Sequence, residues 1–122
     1  MFKIKILSNF SAAHFLRGYK GKCESLHGHN WKVEVMVLAS KLDELGMVMD
    51  FSELKKITKR ILEDLDHKQI NEIEYFKQYN PSSEEMAKYI FDRIQSEVKG
   101  KGVAVYEVRV WETESSCAIY SE

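Results

Sequence analysis

His27 and His29 bracket Gly28, and His14 closes the run Phe10-Ser11-Ala12-Ala13-His14 about a dozen residues upstream. In an extended chain, residues i and i+2 project from one face with Cα atoms about 6.6 Å apart. Two such imidazoles can reach one ion at about 2.0 to 2.1 Å, and a third can join them from another segment. Three neutral imidazoles suit zinc. With three protein ligands the fourth tetrahedral position stays open, as in a catalytic site. A fourth ligand from Cys23, four residues before His27, would close it into a structural one. Spacing alone leaves both forms available.

Other residues able to do chemistry each have an ordinary alternative. Asp66-His67 follows a predicted helix end, where a histidine also sits favourably against the helix dipole. Cys23 could be a reactive thiol or a small buried hydrophobe. Glu112 continues the phase of Val108 and Val110, so it either lies beyond the strand in solvent or meets specific donors on a buried face. Ser82 and Ser83 are accounted for as helix-capping residues, and Trp31 and Trp111 by strand packing. Arg17, Lys20 and Lys22 cluster with Gly18 and Gly21 just before Cys23. Such a basic loop can attract a phosphorylated ligand, though a solvated surface loop has the same composition.

The elements that must position these residues are legible from periodicity. Phe2, Ile4 and Ile6 alternate with Lys3 and Lys5, a half-buried strand that can continue through Phe10 toward His14. Trp31, Val33, Val35 and Val37 define a second strand with His27 and His29 at its entrance. Asp50 with Glu53 reads as a capping box, and Leu54, Ile57, Ile61 and Leu65 predict a helix from about Phe51 to Leu65. Asp66 to Asn80 has no sustained period and is expected to be a long connection. Ser82 with Glu85 forms a second capping box, and Met86, Ile90, Phe91, Ile94 and Val98 predict a second helix, stopped by Gly100 and Gly102. Ala104, Tyr106, Val108 and Val110 then form one face of a strand, followed by a short strand over Cys117 to Tyr120. The order ββααββ implies an α+β domain, a four-stranded antiparallel sheet with two helices on one face.

At 122 residues the chain has length for a single domain, 1–122, with a hydrophobic core. Its apolar runs fall well short of the roughly 20 residues that span a bilayer, and the alternating amino terminus is unlike a signal peptide. The expectation is a cytoplasmic protein. Its two cysteines are too few for a disulfide scaffold, so reduced thiols are expected. A net charge of −1 gives no general preference for nucleic acid or membrane.

The run Cys23-Glu24-Ser25-Leu26-His27-Gly28-His29 resembles the 6-pyruvoyltetrahydropterin synthase family, especially its 6-carboxytetrahydropterin synthase branch in queuosine biosynthesis. Phe10 to His14, Gly46 to Phe51, Leu65-Asp66-His67, Asn80 to Glu84, Glu112-Thr113 and Cys117 to Tyr120 fall where that family has its motifs, in the same order. The resemblance implies a tunnelling fold whose subunits join edge to edge into a trimeric barrel, commonly stacked as a hexamer with active sites between subunits. Barrel closure would also protect open sheet edges.

By matching positions, the resemblance implies that His14, His27 and His29 hold Zn2+, that Cys23 is an acid/base thiol and that Asp66 and His67 complete its proton relay. It further implies that Glu112 anchors the pterin, with Ser82, Ser83 and Glu24 among the substrate-binding residues. A carboxylate offers two acceptors to paired N–H donors, as it does to arginine. The implied reaction is that of a zinc-dependent lyase, converting 7,8-dihydroneopterin triphosphate to 6-carboxy-5,6,7,8-tetrahydropterin with loss of triphosphate and acetaldehyde. Glu24 complicates the branch. Members with a cysteine four residues before the histidine pair form 6-carboxy or 6-pyruvoyl products, whereas members with a glutamate three residues before it form 6-hydroxymethyldihydropterin for folate, and this chain carries both. A noncatalytic pterin-binding module, its structural zinc closed by Cys23, is the alternative from a different class.

Overall fold

The computed structural model describes residues 1–21 and 25–122, so the roles expected of Cys23 and Glu24 fall outside the described residues. Strands β1 (Phe2–His14) and β2 (His27–Ala39) pair antiparallel along their whole length, from Phe2 opposite Ala39 to His14 opposite His27. Strands β3 (Ala104–Thr113) and β4 (Ser116–Ser121) complete a sheet in the order β1-β2-β3-β4. Period two puts Ile6, Phe10 and Ala12 of β1 on the same face as Trp31, Val33, Val35 and Val37 of β2, and all are buried.

Helices α1 (Phe51–Leu62) and α3 (Ser83–Val98) bring Leu54, Ile57, Ile61, Met86, Ile90, Phe91 and Ile94 onto that face. Each fully buried aliphatic or aromatic side chain of this kind contributes about 1.5–3 kcal/mol. No helix among the described residues is long and apolar enough to cross a membrane.

Local rules shift several expected boundaries. α1 ends at Leu62, not Leu65, because Leu65 N–H and Asp66 N–H both turn back to the Leu62 carbonyl and His67 adopts a left-handed φ of 58°. Leu65 is still fully buried. Both helices have their expected N-caps, but neither forms the full reciprocal box. The Asp50 carboxylate accepts from Ser52 N–H while Glu53 pairs with Lys101. Ser82 Oγ accepts from Glu85 N–H while the Glu85 carboxylate accepts from Tyr75 OH.

The connection between α1 and α3 contains a 3-10 turn at Ile70–Glu72 and a short helix, α2 (Glu74–Gln78), absent from the two-helix reading. Its buried anchors Ile70 and Phe76 are too few to set up a period. β3 also departs from strict alternation. The ladder to β2 slips between Met36 and Val37, leaving Tyr106 as the extra residue of a bulge. Val105 is therefore buried, and Ala104 and Tyr106 do not share the face of Val108 and Val110 as expected.

Candidate metal centre

The core face of β1 and β2 ends in imidazoles. Because His14 lies opposite His27 and His29 is two residues further along β2, the three rings meet at one end of the sheet, with centroids 4.6, 4.8 and 5.4 Å apart. Trp31, the next core-facing residue, packs edge-on against His14 and His29 at 4.9 and 5.0 Å and forms the floor of the cluster.

Neighbouring carbonyls fix two of the rings. His14 Nδ1 lies 2.7 Å from the Pro81 carbonyl and His27 Nδ1 lies 2.7 Å from the Ser25 carbonyl. A carbonyl only accepts, so each Nδ1 must carry the hydrogen. In the neutral ring Nε2 then presents a lone pair, the arrangement typical of metal-ligating histidine.

The carboxylate of Glu112 completes the cluster. A second bulge makes this possible: Trp111 faces Cys117 and Thr113 faces Ser116, leaving Glu112 unpaired in the β3–β4 ladder. Its Oε1 is 2.9 Å from His29 Nε2 and 3.9 Å from His14 Nε2, and Ser83 Oγ donates to its Oε2 at 3.4 Å. Among the described residues, Nε2 of both His14 and His29 is buried without a well-formed hydrogen bond, although Glu112 Oε1 stands close to His29. Burying such atoms unsatisfied is costly. His14 Nε2, left as an acceptor by its Nδ1–H, and the Glu112 carboxylate repel unless a proton or a cation lies between them.

The four ligand atoms lie within 4.8 Å of one another, and three imidazoles with one carboxylate form a donor set that suits zinc. Burial lowers the pKa of His14, aided by His27 and His29 and opposed by the Pro81 hydrogen bond and Glu112. Burial lowers that of His29 as well, with Glu112 opposing. Both rings therefore stay neutral, and able to ligate, at lower pH than an ordinary histidine.

The remaining expected site residues fall into two neighbouring places. Ser83 and Glu112 line a hollow of about 390 Å3 with Glu84, Ser116, Cys117, Ala118 and Ile119. Ser82 caps α3 at its margin. Glu84, assigned no role from the sequence, thus lines the same hollow as Glu112 as a second carboxylate. Its place at the end of the Asn80 to Glu84 motif, next to Ser83, was the available signal.

Asp66 and His67 occupy the turn after α1. Asp66 Oδ1 accepts from Ser11 N–H at 2.9 Å, which holds its carboxyl below the usual range, and Asp66 Oδ2 lies 3.1 Å from His67 Nδ1. The His67 side chain is 81% exposed and lines, with His29, a hollow of about 510 Å3 at the sheet margin. A hollow of similar size between the helices, lined by Arg60, Tyr75, Tyr89 and Arg93, shares no residue with the cluster.

The family model for 6-pyruvoyl tetrahydropterin synthase matches residues 3–122. The chain belongs to that family. A protein of Archaeoglobus fulgidus, provisionally named 6-carboxy-5,6,7,8-tetrahydropterin synthase, is 45% identical over 116 residues, covering 94% of this chain and 91% of its own. The 6-carboxy-5,6,7,8-tetrahydropterin synthase of Haemophilus influenzae is 32% identical over the full length of both chains. Human 6-pyruvoyl tetrahydrobiopterin synthase is 38% identical over 104 residues, covering 82% of this chain and 70% of the human one. The structure of the Caenorhabditis elegans 6-pyruvoyl tetrahydropterin synthase superposes with a TM-score of 0.88 at 29% identity, covering 99% of this chain and 95% of that one. The tunnelling-fold subunit expected from the sequence is therefore the fold observed.

Proposed function

We propose that this chain is a zinc-dependent lyase that converts 7,8-dihydroneopterin triphosphate to 6-carboxy-5,6,7,8-tetrahydropterin, releasing triphosphate and acetaldehyde, in the route to queuosine and related 7-deazapurines. One observation carries the reading: the Nε2 atoms of His14 and His29, buried without a well-formed hydrogen bond among the described residues and gathered with His27 beside Glu112. Relatives named for the 6-carboxy product support this branch.

His14, His27 and His29 would hold the zinc, with the Pro81 and Ser25 carbonyls fixing the first two rings. When bound, zinc supplies Lewis acidity that polarises the oxygens of the substrate side chain and acidifies the adjoining C–H bonds. Cys23 takes the role of acid/base thiol. Asp66 and His67 relay its proton, with the Asp66 carboxylate held ionised by the Ser11 N–H.

Ser82, Ser83 and Glu112 form the substrate wall in this reading, with Glu112 receiving the guanidine-like edge of the pterin. Because Glu112 Oε1 already faces His29, Glu84 in the same hollow is the alternative carboxylate for that edge, leaving Glu112 beside the metal. Glu24 bears on which product leaves. The enzyme is read as a cytoplasmic homotrimer or hexamer with sites between subunits, the outer edges of β1 and β4 pairing across them.

Incubating the purified, zinc-loaded protein with 7,8-dihydroneopterin triphosphate and identifying the products by mass tests this. The 6-carboxy product with acetaldehyde is expected. A 6-pyruvoyl or 6-hydroxymethyl product moves the chain to the biopterin or folate branch, whereas unchanged substrate supports a noncatalytic pterin-binding module with structural zinc.

A further inference from the structure

The outer edge of β1 carries a seam of alternating contacts that begins within the strand and runs past its end. Ser11 N–H donates to the Asp66 carboxylate while His67 N–H donates to the Ser11 carbonyl. Two residues on, Ala13 N–H donates to the Lys68 carbonyl at 3.1 Å. Two further on, the Asn71 carboxamide closes a reciprocal pair with Phe15, accepting its N–H at 3.0 Å and donating to its carbonyl at 2.9 Å. After two more, the Asn80 carboxamide does the same for Arg17, at 2.8 and 3.0 Å. Arg17 Nη2 adds a bond to the Phe76 carbonyl at 2.6 Å.

Residues 11, 13, 15 and 17 are thus satisfied along one edge in the period of a strand, although the regular strand stops at His14. A carboxamide carries one acceptor and one donor in the geometry of a peptide group, so each asparagine can act as one residue of a missing neighbour strand. Asn71 is 93% buried by residue area, being 7% exposed, which raises the cost of leaving its amide unpaired.

The seam bears directly on the metal centre. Asn80 immediately precedes Pro81, whose carbonyl fixes the His14 ring, and Phe15 immediately follows His14. We propose that Asn71 and Asn80 are positioning residues that hold His14 from both sides: Asn71 fixes the backbone leaving His14, and Asn80 fixes the backbone presenting the Pro81 carbonyl. The same pairs anchor the start of the segment that leads to Cys23. Neither asparagine touches the cluster. Loss of a group that hydrogen-bonds a ligating histidine, here the Pro81 carbonyl, changes metal affinity by about 10–100-fold, and the asparagines act through the backbone that places it.

The inference deepens the metal-site reading and rests on it for the identity of the ion. The test measures the rate at which a colorimetric chelator removes zinc from the intact loaded protein, alongside amide exchange at Phe15 and Arg17 and turnover of 7,8-dihydroneopterin triphosphate. Asn80→Ala and Asn71→Ala should release zinc about tenfold faster or more while still taking up one zinc per chain at excess metal. Asn80→Asp, which can accept the Arg17 N–H but cannot donate back when ionised, should fall between Asn80→Ala and the parent. It carries the same comparison if an alanine variant does not fold.

Release at the parental rate from a variant whose Phe15 or Arg17 amide has lost protection would overturn the proposal. So would an Asn80→Asp protein that behaves like the parent. Absence of turnover in the parent would sink the enzymatic reading and leave the zinc-release comparison to decide the asparagines.

Discussion

The two ends of β2 share one strand, one face and one alternation, yet they do different things. Val33, Val35 and Val37 are fully buried, under a core that includes Leu54 of α1 and Ile90 and Ile94 of α3. His27 and His29 continue the same face without such cover, and a bulge replaces aliphatic packing there with the Glu112 carboxylate. The aliphatic end turns burial into stability. At the imidazole end, burial leaves the His14 lone pair without a partner among the described residues, a cost that a bound cation would reverse. Register alone thus carries polar chemistry on the framework of a hydrophobic core, and Trp31 marks the change from one regime to the other.

If the ends are separable, damaging one should spare the other. Leu54→Ala at the aliphatic end should destabilise the protein by about 2–5 kcal/mol, read from chemical denaturation, with zinc affinity of the folded protein unchanged. His29→Ala should do the reverse, lowering zinc affinity by about a hundredfold or more in a titration while the circular dichroism spectrum and unfolding midpoint of the metal-free protein hold or improve. A large affinity loss in Leu54→Ala would show that the two ends are one mechanical unit.

Titration offers a subtler separation. The pKa values of His14 and His29 are lowered in the fold, so just below the ordinary histidine value of about 6.5 the unfolded chain binds more protons than the folded one. Stability of metal-free protein is therefore expected to fall as pH drops from 6.5 through the folded values, and thermal unfolding between pH 7 and pH 5 should show it. The decline should shrink in His14→Leu. The lowered pKa of Asp66 acts in a separate window, where protonation removes its stabilising contact as pH falls below the usual carboxylate range. The smallest change concerns Ser82 as a cap: Ser82→Ala should cost about 1 kcal/mol in denaturant unfolding, and Ser82→Asn should recover most of it.

How much of this was legible depended on whether a feature had a local pattern. The long strands and the two long helices follow from period two and period 3.6, whereas the convergence of His14 with His27 and His29 depends on the β1–β2 register, which periodicity does not fix and which only the family resemblance implied. The α1–α3 connection did not yield, because single buried anchors such as Ile70 and Phe76 set up no period. The bulges at Tyr106 and Glu112 are ladder slips that depend on the partner strand. Glu112 was readable as a carboxylate in a buried phase, while the Ser83 hydroxyl and His29 ring that meet it are remote in sequence. The Pro81 carbonyl that orients His14 is a backbone atom and leaves no trace in residue type. Asn71 carries no signal until its backbone partner is seen, and Asn80 carries only its place in the Asn80 to Glu84 motif.

The imidazole end of the sheet is expected to hold one zinc through three histidines and to keep a position free of sulfur. X-ray absorption at the zinc edge of the stoichiometrically loaded protein tests it most directly. One zinc per chain is expected, in a shell of nitrogen and oxygen scatterers at about 2.0 to 2.2 Å with imidazole features. A sulfur scatterer at about 2.3 Å, lost in Cys23→Ala together with tight binding, would contradict it and make the site a closed structural one.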